Sequence, residues 1–98
     1  MGMDIKRRGY LETAIDEQLM ERRLKTYFDL FSELSPKIGF LEDAIFGFII
    51  GNTYANYSIV YRDLHNGDFT NEDVELFIEI TKRRTLEMKS RIREIGNL

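Results

Sequence analysis

Residues 40–61 read FLEDAIFGFIIGNTYANYSIVY, and small side chains recur in this stretch at every third or fourth position. This spacing follows one edge of an α-helix, which has about 3.6 residues per turn. The row consists of Ala44, Gly47, Gly51, Ala55 and Ser58. Large apolar residues surround it, so the predicted helix has hardly any face suited to water and needs packing partners on most sides.

The composition is that of one folded domain. The chain has 98 residues, of which 43% are hydrophobic and 32% charged, which is ordinary for a globular protein and argues against disorder. A chain of this length can bury a single core. We therefore expect one helical domain over residues 1–98, in which residues 1–9 form either a flexible N-terminal segment or an added helical turn.

The pattern predicts an all-α fold of three long helices, because the β-branched residues do not alternate with polar ones as strands require. The first helix is expected to begin between Gly9 and Thr13 and to end near Leu34, with Thr13 and Asp16 as a capping box. The expected apolar seam in its second half comprises Met20, Leu24, Tyr27, Phe31 and Leu34, widened by Phe28 and Leu30.

The second helix is predicted from Pro36 to Leu64. Ser35 is a good N-cap, and Pro36 is tolerated at the first helical position, where its missing N–H is not needed. Glycines inside a helix cost up to about 1 kcal/mol each relative to alanine. Packing against the row of small residues is therefore expected to compensate for Gly47 and Gly51.

The third helix is predicted to follow the polar corner 65–68. Thr70 is its expected N-cap, and Asp73 stands where a capping box places its acid. The predicted seam comprises Val74, Ile78, Thr81, Thr85, Met88, Ile92 and Ile95. Two i,i+4 ion pairs are expected on the exposed side, Glu79 with Arg83 and Glu87 with Arg91.

Three long helices with short corners favour an up-down-up bundle. The second helix offers more apolar surface than two neighbours cover, so we expect a second copy of the chain to cover the rest. The predicted dimer interface is the row of Ala44, Gly47, Gly51, Ala55 and Ser58. The competing interpretation is that this row admits the first or third helix of the same chain.

Polar residues interrupt the second helix near its middle. Buried amides without hydrogen-bond partners cost about 1–3 kcal/mol each. The residues could fix the register of a dimer or lie at the surface, which is the favoured interpretation. The alternative is a small polar pocket formed by Asn52, Asn56 and Tyr57.

The corner between the second and third helices resembles a calcium-binding loop only in part. Arg62 and Leu64 stand where the first two acidic ligands of such a loop must be. His65, the single histidine, is more simply a turn residue. We therefore expect no metal, no cofactor and no enzymatic activity. An enzyme built around Asn56, Tyr57 and the Asp63/His65 turn is the last alternative.

The charge balance does not favour nucleic acid. Seventeen acidic and fourteen basic side chains give a formal charge of −3, so no overall field draws the chain to phosphate backbones. Basic residues do cluster locally, as Lys6-Arg7-Arg8, Arg22-Arg23-Lys25, Lys82-Arg83-Arg84 and Lys89-Arg91-Arg93. A nucleic-acid accessory protein that uses the third helix and the N-terminus is therefore the main alternative.

Residues 47–51 match the GxxxG motif of membrane helices, but the stretch around them lacks about 20 apolar residues. The N-terminus does not resemble a secretory signal, and the chain contains no cysteine. We expect a soluble, cytoplasmic protein that does not bind membranes. The predicted function is that of an oligomeric scaffold or protein-interaction module, with an unidentified protein as a further partner.

Overall fold

The computed structural model describes residues 2–34, 40–64 and 69–97. These residues form four helices and no strand. The helices are α1 (Gly2–Gln18), α2 (Glu21–Ser32), α3 (Leu41–Leu64) and α4 (Asn71–Gly96). The all-α prediction is confirmed, but the predicted number of three helices is wrong, because the expected first helix is divided into α1 and α2.

The division falls at Leu19 and Met20, where the sequence has neither glycine nor proline. Met20 has an extended backbone with φ −63° and ψ 138°, and no side chain caps α2 there. The Leu19 side chain is buried, and its carbonyl accepts a hydrogen bond of 3.2 Å from Arg91 Nε in α4. Contacts with a distant part of the chain thus accompany the end of α1.

The beginning of the chain also differs from expectation. Residues 2–9 belong to α1, which therefore begins before the expected start between Gly9 and Thr13. Thr13 and Asp16 lie inside α1, so the predicted capping box at these residues is wrong. The Asp16 carboxylate instead accepts a hydrogen bond of 2.6 Å from Arg84 in α4.

All four helices contribute to the core. Its buried apolar residues are Leu11, Ile15, Leu19, Leu24, Ile45, Ile49, Tyr57, Tyr61, Leu76, Phe77, Ile80, Met88, Ile92 and Ile95. The seam predicted for the second half of the first helix is only partly right. Leu24 is fully buried, whereas Met20, Leu30 and Leu34 are about half exposed.

The seam of α4 is correct in its second half, where Met88, Ile92 and Ile95 are buried. In the first half it is wrong, because Ile78 is 45% exposed and its neighbour Phe77 is buried. The Phe77 ring packs edge-on against Tyr54 of α3 at 5.0 Å between centroids. Aromatic burial therefore sets the orientation of this part of α4.

The start of α4 is the best-predicted detail of the fold. Thr70 and Asp73 form the expected capping box, with a hydrogen bond of 2.8 Å from the Thr70 backbone N–H to the Asp73 carboxylate. Phe69, directly before the cap, packs against Tyr57 at 5.4 Å between ring centroids. The cap and this contact fix the point at which the helix begins.

The predicted ion pairs within α4 are replaced by other partners. Glu79 pairs with Arg8 at 2.8 Å, and Arg83 pairs with Glu12. Arg91 pairs with Glu94, and Glu87 with Arg84. The bonds from Arg8 and Arg83 tie α4 to α1, which the sequence spacing within one helix could not reveal.

Arg84 is the centre of the polar contact between α1 and α4. Its side chain is 11% exposed and contacts three carboxylates, those of Glu12, Asp16 and Glu87. The hydrogen bond with Glu87, followed by that with Asp16, raises the pKa of Arg84 against the opposing effect of burial. The guanidinium is thus a fixed cation that joins the two helices.

Candidate functional site

The structure divides the predicted interface row between surface and interior. Gly47, Gly51 and Ala55 are exposed, and Ala44 is partly buried. Ser58 is buried, and its hydroxyl donates a hydrogen bond of 2.9 Å to the Ala55 carbonyl of its own helix. The exposed part of the row is therefore its middle.

Neither glycine in the row is close to another helix of the chain. A Cβ atom placed on Gly47 or Gly51 would have open space around it. Apart from the adjacent residues and the nearby backbone of α3, no atom of the described residues would lie within 4 Å of it. The interpretation that these two glycines admit the first or third helix of the same chain is therefore wrong.

Large apolar side chains lie beside the exposed glycines. Phe48 is 37% exposed and Ile59 is 55% exposed. We call Gly47, Phe48, Gly51, Ala55 and Ile59 the α3 strip. Helical spacing places them along one edge of α3, where they form a narrow apolar surface with a shallow middle.

The α2 helix supports one side of the α3 strip. The Phe48 ring packs edge-on against Tyr27 at 5.0 Å and against Phe31 at 5.4 Å between centroids. Aromatic pairs of this geometry hold their rings in defined positions. The exposed edge of Phe48 is consequently fixed by α2.

A groove of about 620 Å³ lies between α1, the beginning of α2 and α3. Its lining residues are Lys6, Gly9, Tyr10, Thr13, Ala14, Glu17, Gln18, Arg23, Thr53 and Asn56. Asn56 is the member of the predicted polar pocket that lines this groove. Asn52 is partly buried and is not among the lining residues.

Tyr57, the third residue of that predicted pocket, serves a different part of the fold. Its side chain is fully buried, and its hydroxyl donates a hydrogen bond of 3.0 Å to the Asp73 carbonyl. Its ring lies 5.2 Å from that of Tyr61 and 6.2 Å from that of Tyr10. Tyr57 thus joins α3 to α4 and does not line the groove with Asn56.

The tyrosines beside Tyr57 are held in their neutral form. Burial, and then the negative charge of Glu17, raises the pKa of Tyr10. Burial, and then the neighbouring Tyr10, raises the pKa of Tyr61. These shifts favour the neutral form of both phenols at and above physiological pH.

Thr53 forms part of the groove wall and has an unusual polar atom. Its side chain is 1% exposed, and its Oγ1 has no hydrogen-bond partner among the described residues. Nearby Gln18 is also buried, but its Oε1 accepts a hydrogen bond from the Tyr27 hydroxyl. A buried hydroxyl without a partner is costly by about 1–3 kcal/mol.

Sequence reasoning did not find the contribution of α1 to the groove. A signal for it exists in the spacing of Lys6, Tyr10, Thr13 and Glu17, which lie on one face of a helix. Because the first helix was expected to begin after Gly9, this face was not recognised. The pairing of that face with Thr53 could come only from the tertiary structure.

The buried ion pair between Arg7 and Asp73 is a second polar centre. The side chains are 13% and 1% exposed. Burial alone would raise the pKa of Asp73, but hydrogen bonds from the Thr70 backbone and from Arg7 outweigh it and lower the pKa below its usual value. This carboxylate is engaged in structural contacts on both oxygens.

Within the described ranges, the structure brings together no group of three metal-ligating side chains. The corner with Asp63 and His65, where no metal is expected, lies outside the residues whose side chains are described. In the same described ranges, no helix has both the length and the apolar character needed to cross a bilayer.

Most of the basic clusters are occupied by carboxylates of the same chain. The ion pairs are Arg7–Asp73, Arg8–Glu79, Lys25–Glu21, Arg83–Glu12, Arg84–Glu12, Arg91–Glu94 and Arg93–Glu42. Lys89 lies 3.9 Å from Asp43 and 5.1 Å from the centre of the Phe46 ring. These contacts leave few cations for an external phosphate backbone.

Comparisons with known proteins identify no relative. The chain matches no protein family, no curated protein and no solved structure. The function is therefore argued from the surfaces of the chain itself.

Proposed function

We propose that the protein is an oligomeric scaffold or protein-interaction module that forms a homodimer through the α3 strip. The dimer would complete the core of a helical bundle by covering the exposed side of α3. The observation that carries this proposal is the open space above Gly47 and Gly51 on an otherwise apolar helix.

The two glycines weaken α3 in the isolated chain. Each costs up to about 1 kcal/mol relative to alanine in a helix interior, and neither is packed against another described segment. A glycine within a helical pattern usually has a packing reason. The close approach of a second backbone provides one, since small residues allow two helices to pack at short distance.

The row of small residues also fits a two-fold axis. Its intervals are symmetrical about Gly51, because Gly47 and Ala55 lie four positions to either side, and Ala44 and Ser58 lie seven. Two antiparallel copies of α3 would therefore place Gly51 against Gly51 and Gly47 against Ala55. Such self-complementarity is what an isologous dimer interface requires.

The ends of α3 fit the same arrangement. Phe40 is 77% exposed directly before the helix, and Arg62 is exposed in its last turn. Both lie eleven positions from Gly51, so an antiparallel dimer brings the ring of one copy close to the guanidinium of the other. A cation–π contact of this kind is favourable.

Nucleic-acid binding is the weaker alternative, because eight arginine or lysine side chains from the basic clusters already pair with carboxylates of the same chain. An enzyme centred on Asn56 and Tyr57 is also less well supported. The Tyr57 hydroxyl bonds to the Asp73 carbonyl, whereas Asn56 lines the groove.

Gly51→Leu tests the proposal by sedimentation equilibrium. The wild-type chain is expected to be a dimer, and the variant a monomer, because leucine at Gly51 separates the two backbones. Leucine fits the open space within one chain and favours the helix by up to about 1 kcal/mol. The variant should therefore still fold, with an unchanged helix content by circular dichroism, although its unfolding temperature loses the contribution of the dimer.

Gly9→Leu is the matched control, since Gly9 is also a helical glycine with nothing within 4 Å of its Cβ position. This variant should remain dimeric. A wild-type chain that is monomeric at all concentrations would refute the proposal. Dimerisation of Gly51→Leu with unchanged affinity would refute the role of the α3 strip.

A further inference from the structure

We infer that the groove between α1 and α3 binds a small organic anion with an apolar body. This inference is independent of the proposed dimer, because the groove and the α3 strip involve different residues. It rests on three properties of the groove. They are a buried polar atom and cations for which the described residues provide no partner, and an apolar lining of suitable size.

Thr53 provides the polar anchor. Its side chain lines the groove and is 1% exposed, and its Oγ1 has no partner among the described residues. A threonine in a helix commonly donates to the carbonyl four residues earlier, as Thr85 does to Thr81 at 2.7 Å. The hydroxyl of Thr53 therefore has unused hydrogen-bonding capacity in the wall of the groove.

Lys6 and Arg23 provide the charge. Both line the groove, and neither forms an ion pair with any of the described residues. They differ in this respect from Arg83 and Arg84, which are held by carboxylates. Two positive charges that face a common groove favour an anionic ligand.

Glu17 restricts the ligand further. It lines the same groove, and its negative charge disfavours a second anionic group near it. The lining therefore carries a net charge of about +1, which suits one carboxylate, sulfonate or phosphate ester.

The remaining lining suits an apolar body. Gly9, Tyr10 and Ala14 contribute the small and aromatic surfaces of α1, and the groove volume is about 620 Å³. Sites for small molecules typically have volumes of about 300–1,000 Å³ and combine apolar walls with a few placed polar groups. Thr53, Asn56 and Gln18 are such polar groups.

The test uses the full chain with 8-anilinonaphthalene-1-sulfonate, a fluorescent aromatic sulfonate, as the probe. N-phenyl-1-naphthylamine, which has the same aromatic body without the sulfonate, measures the contribution of charge. We expect saturable binding of the sulfonate, weaker binding of the neutral compound, and amide chemical-shift changes centred on Ala14, Thr53 and Asn56.

Thr53→Val separates a ligand contact from a structural role. Valine has nearly the same shape and removes the unpartnered hydroxyl, so the unfolding temperature should rise. If the hydroxyl contacts the ligand, the affinity for the sulfonate should fall by about fivefold at the same time. Greater stability with weaker binding is the signature of a residue retained for function.

Lys6→Gln and Arg23→Gln should each weaken sulfonate binding by about threefold, as expected for exposed charges. Lys82→Gln is the matched control, because Lys82 is exposed on α4 and outside the groove, and it should leave the affinity unchanged.

Four outcomes would overturn the inference. They are the absence of saturable binding, chemical-shift changes centred on Phe48 and Ile59, equal binding of the neutral compound, and unchanged affinity of Thr53→Val for the sulfonate.

Discussion

Asp73 combines local and distant contacts in one residue. Its Oδ2 accepts hydrogen bonds from the Thr70 backbone at 2.8 Å and from the Thr70 hydroxyl at 3.0 Å. Its Oδ1 pairs with Arg7, and its carbonyl accepts from Tyr57. The sequence predicted the contact with Thr70, which lies three positions away. Arg7 lies 66 positions away, so no local pattern could identify it.

Asp73→Asn should destabilise the protein at pH 7 by about 1–3 kcal/mol, because it removes the ionised carboxylate that is bonded to the largely buried Arg7 guanidinium. The contacts lower the pKa of Asp73 from 3.8, so its ionised form stabilises the fold. This contribution is complete above pH 3.8 and is lost as the pH falls through the lower pKa of the folded state. Urea unfolding between pH 2 and 7 should show a smaller loss of stability with acid in the variant.

Glu72→Gln is the control for Asp73→Asn. Glu72 is an exposed carboxylate in the same first turn of α4. Glu72→Gln therefore removes the same charge as Asp73→Asn and the same kind of interaction with the helix dipole. This variant should alter the stability by a few tenths of a kcal/mol. Equal effects of the two substitutions would contradict the role of the buried ion pair.

At the scale of the helices, the sequence pattern does not indicate the junction between α1 and α2. The apolar positions continue through Leu19 and Met20 without a glycine or proline, so one long helix was expected. In the folded chain, Arg91 of α4 donates to the Leu19 carbonyl, and Met20 caps α2 only through its backbone. The junction thus coincides with a contact from α4 that no local pattern indicates.

Met20→Asp should raise the stability by about 1 kcal/mol. Met20 already has the extended backbone of an N-cap and lacks a side-chain hydrogen bond, so an aspartate can accept from the free N–H groups of the first turn of α2. Its negative charge also suits the N-terminal end of the helix dipole. Thermal and urea unfolding at neutral pH measure the gain.

Met20→Ala is the control for this substitution. It removes the same side chain, which is 49% exposed, but supplies no acceptor. Only Met20→Asp should stabilise the chain. If both variants have the same stability, the extended backbone at Met20 does not function as a cap.

The molecule is elongated, with extents of 43 × 22 × 20 Å. At about 1.5 Å per residue, the 24 residues of α3 extend over most of the long dimension. The α3 strip, from Gly47 to Ile59, provides a surface about 18 Å long that a second copy can contact. The symmetry of the row about Gly51 makes the direction of that contact testable.

Single cysteines can establish the arrangement of the proposed dimer, since the chain contains no cysteine of its own. In an antiparallel dimer, Gly51→Cys should form a disulfide with itself under mild oxidation, because it lies at the two-fold axis. Gly47→Cys should cross-link to Ala55→Cys when the two variants are mixed, and only weakly to itself. Non-reducing gel electrophoresis measures the yield.

Ser90→Cys is the control, because Ser90 is exposed on α4 away from the strip, and it should give little cross-linked product. Efficient self-linking of Gly47→Cys would indicate a parallel dimer. Equal yields for Gly51→Cys and Ser90→Cys would show random collision and contradict an interface at the strip.

Helix type and several boundaries followed from local patterns. The cap at Thr70 and the start of α4 at Asn71 agree with the sequence expectations, because capping depends on residues within one turn of each other. The start of the preceding helix does not agree, since α3 begins at Leu41 and Phe40 is not helical. The seam of α4 was right near Met88 and wrong near Ile78. There the aromatic contact between Phe77 and Tyr54 decided the orientation.

The sequence by itself determined that the chain is helical and that α3 is apolar on most sides with a row of small residues. Helical periodicity and caps depend on residues three or four positions apart and can therefore be recognised in the sequence. Only the tertiary structure decided where α1 ends, which carboxylates hold the arginines and which side of α3 stays exposed. These features depend on contacts such as Arg84 with Glu12, 72 positions apart, and on helix orientations that no local spacing specifies.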